Sequence, residues 1–218
     1  MSEFIVLIPA YNEYSSLKKI LDKIYRKYSI VIMNDYSDDN TKNLKKNFKK
    51  LKIVNNKKRL GYENNLIKGF NYILKQKYKY IVTFDADGEH HIDNLKKVKS
   101  LIKKNYDSDM LIGERSILNR FSEKIISISF YFKFKIKDPL SGFKIYKTST
   151  LKKFKMFKNN NLFLVDLIFM FVKRQKKIKN FKIKSVKIKE RKSKVGSFLY
   201  SNFKILKCLK FIFKYKNT

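Results

Sequence analysis

Short apolar runs alternate along the first half of the chain with longer stretches in which apolar residues recur every three or four positions. The runs are rich in Ile, Val and Phe, which is typical of strands buried on both faces of a parallel sheet. The runs are 4–8, 30–33, 51–54, 80–84 and 110–112. The stretches between them have the period of amphipathic helices. This alternation predicts an α/β fold with a mostly parallel central sheet flanked by helices.

Charged side chains follow four of these five predicted strands. They are Glu13 after the first strand, Asp35 after the second, Asp85 and Asp87 after the fourth, and Arg115 after the fifth. The carboxyl ends of parallel strands meet at one edge of a sheet, and ligands bind in the crevice outside that edge. We therefore expect these side chains to converge on one ligand-binding crevice.

Three carboxylates follow the fourth strand at alternate positions. They belong to Asp85, Asp87 and Glu89, with the pliable Gly88 between the last two. If the backbone stays extended, the three side chains point the same way. Carboxylate oxygens are the ligands that hard divalent cations prefer, so the pattern indicates a Mg²⁺ or Mn²⁺ site. The alternative is an ordinary Asp/Gly turn at the end of a strand.

The composition describes a folded and strongly basic protein. The chain has 218 residues, of which 44% are hydrophobic, and a formal net charge of +34. This content supports one sizeable α/β domain and excludes a disordered chain. The charge indicates a polyanionic partner, which could be nucleic acid, an anionic membrane surface or phosphorylated substrates. Lys is spread over nearly every segment, so drift in composition is an equal explanation.

Targeting and redox signals are sparse. The lone Cys208 cannot form an internal disulfide, so nothing demands an oxidising compartment. We find no signal peptide and no apolar run long enough to span a bilayer. The chain is therefore expected in the cytoplasm, as a peripheral protein on the cytoplasmic face of the membrane. Neither a P-loop nor a dinucleotide-binding glycine motif is present.

Two segments of the second half interleave aromatic and aliphatic residues with Lys. They are 120–137 and 197–215. Each has the pattern of a basic amphipathic helix in a membrane interface, and the first fits an ordinary core helix equally well. We predict two regions, a catalytic domain over residues 1–195 and a C-terminal amphipathic helix over residues 196–218.

Seven short motifs occur in a fixed order between residues 4 and 195. They are Pro9-Ala10-Tyr11-Asn12-Glu13, Asn34 through Thr41, Gly61-Tyr62-Glu63-Asn64-Asn65 through Gly69, Asp85-Ala86-Asp87-Gly88-Glu89-His90, Gly113-Glu114-Arg115, Asp138 through Lys144, and Lys192-Ser193-Lys194. In this order they resemble the motifs of family 2 glycosyltransferases. The match is closest to the dolichol-phosphate mannosyltransferase and polyprenyl-phosphate glycosyltransferase branch. The resemblance implies the nucleotide-diphospho-sugar transferase (GT-A) fold.

The resemblance also implies a role for each matching residue. Asp35 would accept a hydrogen bond from the ring N–H of the base, and a Mg²⁺ or Mn²⁺ ion would link the donor diphosphate to its carboxylate ligands. The implied nucleotide-sugar-binding residues are Pro9, Tyr11, Glu13, Asp35, Asp85, Lys144 and Lys194. The implied metal ligands are Asp85, Asp87 and Glu89, and the implied catalytic residues are Asp87, Arg115 and Asp138.

The chain departs from the family pattern at several positions. Asn34 replaces the first aspartate of a pair, Tyr36 and Glu63 replace glycines, and Glu89 replaces the usual glutamine. Loss of glycine predicts altered backbone angles in those two loops. None of these changes removes an implied ligand of the donor or the cation.

The implied reaction is inverting transfer of a sugar from a UDP- or GDP-sugar to a polyprenyl phosphate, either dolichyl or undecaprenyl, at the membrane surface. Such an acceptor is already anionic and needs no general base, whereas an alcohol needs one. The candidate bases are Asp138 and Asp166. Three alternatives remain: transfer to a saccharide hydroxyl in cell-surface glycan synthesis, an inactive homologue, and a basic nucleic-acid-binding protein.

Overall fold

In the part of the chain that the structure describes, helices pack on both faces of one seven-stranded sheet. A computed structural model describes residues 3–118, 121–154, 163–186, 206, 208–210 and 212–213. The strands are β1 (Phe4–Ala10), β2 (Ser29–Asn34), β3 (Lys52–Asn55), β4 (Tyr80–Thr83), β5 (Met110–Glu114), β6 (Lys144–Lys147) and β7 (Ile178–Lys182). The helices are α1 (Tyr14–Ile24), α2 (Leu44–Asn47), α3 (Tyr62–Leu74), α4 (Asp93–Lys96), α5 (Val98–Lys104), α6 (Phe121–Phe134), α7 (Thr148–Lys152) and α8 (Phe163–Lys173). A short 3₁₀ helix, Asn40–Asn43, precedes α2.

The strand order is β3-β2-β1-β4-β6-β5-β7. Every neighbouring pair is parallel except those made by β6, which runs antiparallel to both β4 and β5. The mostly parallel sheet is confirmed, and the sequence pattern located its first five strands. Because β6 runs the other way, its first residue, Lys144, lies at the same edge as the last residues of the parallel strands and pairs with Thr83.

Two apolar layers cover the faces of this sheet. Along β1, Ile5 and Leu7 face one layer, while Phe4, Val6 and Ile8 face the other. The first layer packs against α3, α6 and α8, and the second packs against α1, α4 and α5. Alternate residues of an extended strand point to opposite faces, so a strand that is apolar throughout can supply both layers.

Helix α1 begins earlier than its sequence suggests. In the sequence, Ser15 and Ser16 are of the residue type that commonly caps helices, but the helix starts at Tyr14. Its first N–H, that of Tyr14, donates to Asp39 Oδ2 at 2.9 Å, so a carboxylate 25 residues away supplies the cap. Ser16 instead donates its hydroxyl to the Glu13 carboxylate at 2.7 Å. A cap supplied from another loop cannot be read from the local sequence.

The first aromatic segment forms α6, which has a buried side and an exposed side. Ile126 and Phe130 are buried in the core. On the outer side, Phe121 is 78% exposed and Phe132 is 75% exposed. No helix among the described residues is sufficiently long and apolar to cross a bilayer.

Most of the predicted C-terminal helix, and its boundary at residue 196, lie outside the described residues. The described part of this segment is helical at 206, 208–210 and 212–213. Within it, Cys208 is buried in the first apolar layer.

Candidate functional site

Asp35, directly after β2, organises one side of the crevice. Its buried carboxylate accepts hydrogen bonds from the side chain of Asn56 at 2.9 Å and from the N–H groups of Leu60 and Gly61, both at 2.8 Å. These bonds close the loop after β3 and fix the start of α3. Asp35 thereby sets the position of Tyr62, the first residue of that helix.

Each residue that departs from the family pattern here has a defined local contact or conformation. Asn34 Oδ1 accepts from the N–H of Ser37 at 3.3 Å and from its hydroxyl at 2.5 Å. Tyr36 has a φ of +60°, the left-handed conformation that favours the glycine it replaces. Glu63, at the other replaced glycine, lies inside α3 and accepts the N–H of Leu164 at the start of α8, at 3.0 Å. Tyr36 therefore adopts a backbone angle that glycine reaches at lower cost.

Tyr11, one of the implied nucleotide-sugar-binding residues, has a cation over its ring. The guanidinium carbon of Arg59 lies 4.1 Å from the ring centroid. Arg59 comes from the loop that Asp35 holds, and the sequence interpretation did not single it out. Two other implied residues lie nearby in the chain: Pro9 pairs with Met33 within the sheet, and Glu13 is buried.

Asp85, after β4, lies at the centre of the crevice. Tyr62 donates its hydroxyl to Oδ1 at 2.7 Å, and Nε2 of the buried His90 lies 3.1 Å from Oδ2. Burial opposes ionisation of Asp85, but the hydrogen bonds with His90 and Tyr62 outweigh it, so its pKa is lowered. Asp85 therefore carries a fixed negative charge.

Gly142 lies directly against Asp85. A Cβ atom added at Gly142 would come within 1.7 Å of Asp85 Oδ2, so only glycine fits there. The antiparallel course of β6 produces this approach, because the residues before Lys144 reach the edge where β4 ends.

The pKa of Asp87 is shifted in the opposite direction to that of Asp85. Burial, and then the negative charge of Asp85, raise its pKa to about 6. The backbone N–H of Glu89 donates to Asp87 Oδ1 at 3.0 Å and partly offsets this shift. Two neighbouring carboxylates that repel each other in a partly dry site form a place where a cation would bind favourably.

Arg115, after β5, is surrounded by carboxylates. It makes a two-bond pair with Asp138, through Nε to Oδ2 at 2.8 Å and Nη2 to Oδ1 at 3.0 Å. Nη1 donates to Glu89 at 3.1 Å, and Glu123 of α6 lies 3.5 Å from Nη2. The N–H groups of Arg115, one of the implied catalytic residues, here face protein carboxylates. Asp138, a candidate base, is held on both of its oxygens.

Lys144 is fully buried, and its ammonium donates to the carbonyl of Ser141. Burial lowers its pKa to about 8, although the charges of Asp138 and Asp85 act in the opposite direction. In this structure Lys144 adds positive charge from beneath the site. Lys194, the other implied phosphate-binding lysine, lies outside the described residues.

The side chains of the crevice only partly fit the expected divalent cation. Among the described residues, no three His, Cys, Asp or Glu side chains form a ready cation site. Asp87, with its raised pKa beside Asp85, fits the role of a ligand. Glu89 does not fit as placed, because its carboxylate is paired with Arg115.

Comparison with known sequences agrees with the seven motifs. The sequence model of glycosyl transferase family 2 matches residues 5–174. The chain belongs to glycosyl transferase family 2. The family resemblance inferred from the seven motifs is therefore confirmed, and with it the assignment to the glycosyltransferases.

Relatives of this family 2 glycosyltransferase include two proteins whose names refer to polyprenol or dolichyl phosphate. An uncharacterised protein of Methanocaldococcus jannaschii is 32% identical over 173 residues, 69% of this chain and 74% of that protein. A polyprenol monophosphomannose synthase of Mycolicibacterium smegmatis is 22% identical, over 68% of this chain and 63% of its own. A dolichyl-phosphate β-glucosyltransferase of Dictyostelium discoideum is 27% identical over 68% of this chain. The chain spans only 55% of this last protein's length.

Solved structures confirm the GT-A fold. Glucosyl-3-phosphoglycerate synthase of Mycobacterium tuberculosis, crystallised with Mn²⁺, UDP and glucosyl-3-phosphoglycerate, superposes with a TM-score of 0.76 at 13% identity. The match covers 99% of this chain and 81% of that one. At this identity the similarity establishes the fold alone.

The structure brings together most of the strand-end residues expected in the crevice. Asp35 connects through Gly61 and Tyr62 to Asp85, while Glu89 joins Asp87 to Arg115. The residues that sequence reasoning did not assign to the site are Tyr62, His90, Gly142, Arg59 and Glu123. The first three lie within the seven motifs, so the motifs themselves could have identified them as candidates for the site.

Stability of the glycosyltransferase should rise with pH above 8 because of Lys144. Its pKa is about 8 in the folded chain and 10.5 ordinarily, so between these values the unfolded chain binds more protons. We expect the free energy of unfolding to rise by about 2 kcal/mol from pH 7.5 to 9.5. Above pH 10 the buried Tyr62 and Tyr146, whose pKa values are raised, oppose this gain.

Urea unfolding of the wild type and of Lys144→Met at both pH values measures this contribution. The Met side chain retains the volume and removes the titration, so the variant should lose the rise. An equal rise in both proteins would show that Lys144 stays protonated throughout this range.

Proposed function

We propose that this chain transfers a glycosyl group from a UDP- or GDP-sugar to a polyprenyl phosphate, with inversion, at an anionic membrane surface. The proposal of a phosphate acceptor rests on the hydrogen bonds of Asp138, a candidate general base for an alcohol acceptor. Both of its oxygens accept hydrogen bonds from Arg115. A phosphate acceptor is already ionised and needs no such base.

On this proposal the donor binds across the carboxyl ends of β1, β2 and β4. Asp35 takes the base N–H, and Tyr11 lies against the base once Arg59 has moved from its ring. Pro9 and Glu13 line the nucleotide pocket. Asp87 and Asp85 hold a Mg²⁺ or Mn²⁺ ion, which, when bound, supplies positive charge to the departing diphosphate.

Positively charged side chains complete the donor site. Lys144 contributes its charge through the floor of the crevice, where Asp85 and Asp138 keep it partly protonated near neutral pH. Lys194 adds a further cation for phosphate. Preorganised positive charge stabilises a leaving diphosphate more strongly in a water-poor site than in bulk water.

The outer face of α6 supports the membrane part of the proposal. Phe121, Ile128 and Phe132 are exposed there, and Lys124 and Lys135 lie on the same helix or directly after it. Exposed aromatic side chains beside lysines favour the interface of an anionic bilayer. The names of the polyprenyl- and dolichyl-phosphate relatives are consistent with a lipid acceptor.

The deciding experiment is a transfer assay in vesicles of anionic phospholipid that contain a polyprenyl phosphate. UDP-glucose, UDP-N-acetylglucosamine and GDP-mannose, each radiolabelled, are supplied with Mn²⁺ or with EDTA. We expect one donor to label the lipid fraction in a Mn²⁺-dependent manner, while vesicles with unphosphorylated polyprenol stay unlabelled. Label in soluble saccharide only would favour the glycan alternative. No transfer, with salt-sensitive RNA binding, would favour the nucleic-acid alternative.

The same assay tests the membrane contact through Phe132→Ser. This change should reduce co-sedimentation with anionic vesicles and slow lipid labelling severalfold, because an inserted aromatic side chain is lost. Tyr106→Ser is the matched control, since Tyr106 is 74% exposed and lies outside α6. Equal behaviour of the two variants would contradict a membrane role for α6.

A further inference from the structure

A cleft of about 990 Å³ opens at the amino ends of β1, β2 and β3, at the edge of the sheet opposite the crevice. Ile5, Ser29 and Lys52 line it, one from each of these strands. Along β1, Ile5 and Ala10 are roughly 17 Å apart at the usual rise per residue, so this amino-edge cleft is separate from the crevice. A cavity of this size can enclose a small molecule.

The rim of the amino-edge cleft is positively charged. Four exposed cationic side chains line it: Arg26, Lys49, Lys50 and Lys52. No Asp or Glu is among the described residues that line the cleft. None of the four cations makes an ion pair within the part of the chain that the structure describes. Neighbouring cations without counter-charges repel one another, so a bound anion would relieve that repulsion.

Tyrosine rings line the interior of the cleft. They belong to the half-buried Tyr25, Tyr28, Tyr72 and Tyr78. Two of these rings are held against buried phenylalanines. The ring centroids of Tyr25 and Phe48 lie 5.1 Å apart in an edge-to-face contact, and those of Tyr28 and Phe4 lie 5.8 Å apart. The Tyr25 hydroxyl also accepts the N–H of Lys50 at 2.6 Å, which joins the tyrosine wall to the lysine rim.

A cation and an aromatic ring adjoin at Tyr72, on α3. The Lys52 ammonium lies 5.8 Å from the centroid of its ring. The amide side chains of Asn47 and Gln76 line the same cleft, and amides can both donate and accept hydrogen bonds. Rings, amides and cations are the groups that recognise the three parts of a nucleotide: the face of its base, the edge of its base and its phosphates.

We propose that the amino-edge cleft binds a free nucleoside diphosphate or triphosphate, as a nucleotide site apart from the crevice. The base stacks on a tyrosine ring, and Lys49, Lys50 and Lys52 bind the phosphates. Lys52 is exposed, so its ammonium can turn from the Tyr72 ring to a phosphate. An anion without a ring would leave the tyrosines unused, and an uncharged aromatic molecule would leave the cations without a counter-charge. The inference does not depend on the proposed function.

An adenine nucleotide distinguishes this cleft from the crevice. Asp35 is proposed to read a ring N–H, which uracil and guanine carry and adenine lacks, whereas stacking accepts every base. Radiolabelled ADP is therefore equilibrated by dialysis with the full chain in EDTA. We expect saturable binding to one site per chain that weakens as salt is added. ATP should displace ADP, while pyrophosphate and adenosine should each do so at least tenfold less well, because each lacks half of the recognised groups.

Paired variants assign the binding to the cleft. Lys49→Ser combined with Lys50→Ser should weaken ADP binding roughly tenfold, because two cations for the phosphates are lost. The matched control, Lys103→Ser with Lys104→Ser, removes the same charge from exposed positions of α5 that do not line the cleft. It should bind within about twofold of wild type, because distant surface charges are screened.

A second pair of variants tests the stacking. Tyr72→Leu should weaken ADP binding at least fivefold through loss of the aromatic face, while Tyr72→Phe keeps the ring and should bind as the wild type does. Equal binding by these two variants would overturn the stacking role of Tyr72.

Three results would overturn the site itself: no saturable binding of ADP by the wild type, equal losses in the two lysine double variants, or displacement of ADP by pyrophosphate as effective as that by ATP. Tighter binding of an adenine oligoribonucleotide than of ADP, lost in Lys49→Ser with Lys50→Ser, would overturn the free nucleotide as the occupant and replace it with an RNA strand. None of these measurements requires sugar transfer, so their outcome is independent of the proposed function.

Discussion

Asp87→Asn is expected to stabilise the metal-free chain while it removes cation-dependent sugar transfer. The pKa of Asp87 is raised from 3.8 to about 6, so its ionised form costs free energy in the folded state. At pH 7.5 this cost is about 3 kcal/mol at most. Asparagine keeps the acceptor for the Glu89 N–H and removes the repulsion from Asp85. A scanning calorimeter should show a midpoint roughly 5 °C higher.

The size of the stabilisation by Asp87→Asn depends on pH. A carboxyl whose pKa is raised on folding contributes stability below its unfolded pKa and loses that contribution as pH rises through about 6. The advantage of Asp87→Asn should therefore be full at pH 7.5 and shrink as the pH falls below 6. Transfer should drop by about 10³-fold at pH 7.5, since a cation ligand supplies several kcal/mol of transition-state stabilisation.

Asp22→Asn is the matched control for this prediction. Asp22 is an exposed carboxylate on α1, so its change should alter neither the midpoint nor transfer. If Asp87→Asn lowered the midpoint at pH 7.5, the repulsion between Asp85 and Asp87 would be contradicted. If transfer persisted, Asp87 would lose its proposed role as a cation ligand.

Gly142→Ala is the second change with a large expected effect. The added methyl group would come within 1.7 Å of Asp85 Oδ2 and 2.5 Å of its Cγ, so the carboxylate must move. Movement breaks the hydrogen bonds of Asp85 with Tyr62 and His90, both made in a buried site. We expect destabilisation of about 2–4 kcal/mol, as for overpacking combined with lost buried hydrogen bonds, and at least a 100-fold loss of transfer.

The cause of this loss can be isolated by removing the atoms that clash. In an Asp85→Ala background, Gly142→Ala should cost less than about 1 kcal/mol in urea unfolding, because the methyl group then has room. An equal cost in both backgrounds would place the strain in the backbone of residue 142 and not in its contact with Asp85.

Much of this protein could be predicted from its sequence because the relevant signals are local. The five apolar runs predicted β1 to β5, and polar residues at their ends predicted a shared crevice. Parallel strands that each end in a polar loop leave little freedom in where those side chains go. The motif order likewise predicted the family, which the comparison confirmed.

Contacts between distant segments could not be predicted in this way. The pairing of Glu89 with Arg115 joins residues 26 positions apart, and the capping of α1 by Asp39 joins residues 25 positions apart. The sequence pattern offered Asp85, Asp87 and Glu89 as three equivalent carboxylates. Their different partners in space give one a fixed charge, one a raised pKa and one an arginine contact.

The sequence by itself therefore determined the first five strands, the mostly parallel sheet and the family, and it predicted the edge of the sheet at which charged residues gather. The tertiary structure decided the partners and the charge of each carboxylate, because the pKa and orientation of a side chain depend on burial and on charges from other strands and loops. It also decided the need for Gly142, which follows from the antiparallel course of β6 beside β4. The direction of β6 depends on how the second half of the chain packs against the first.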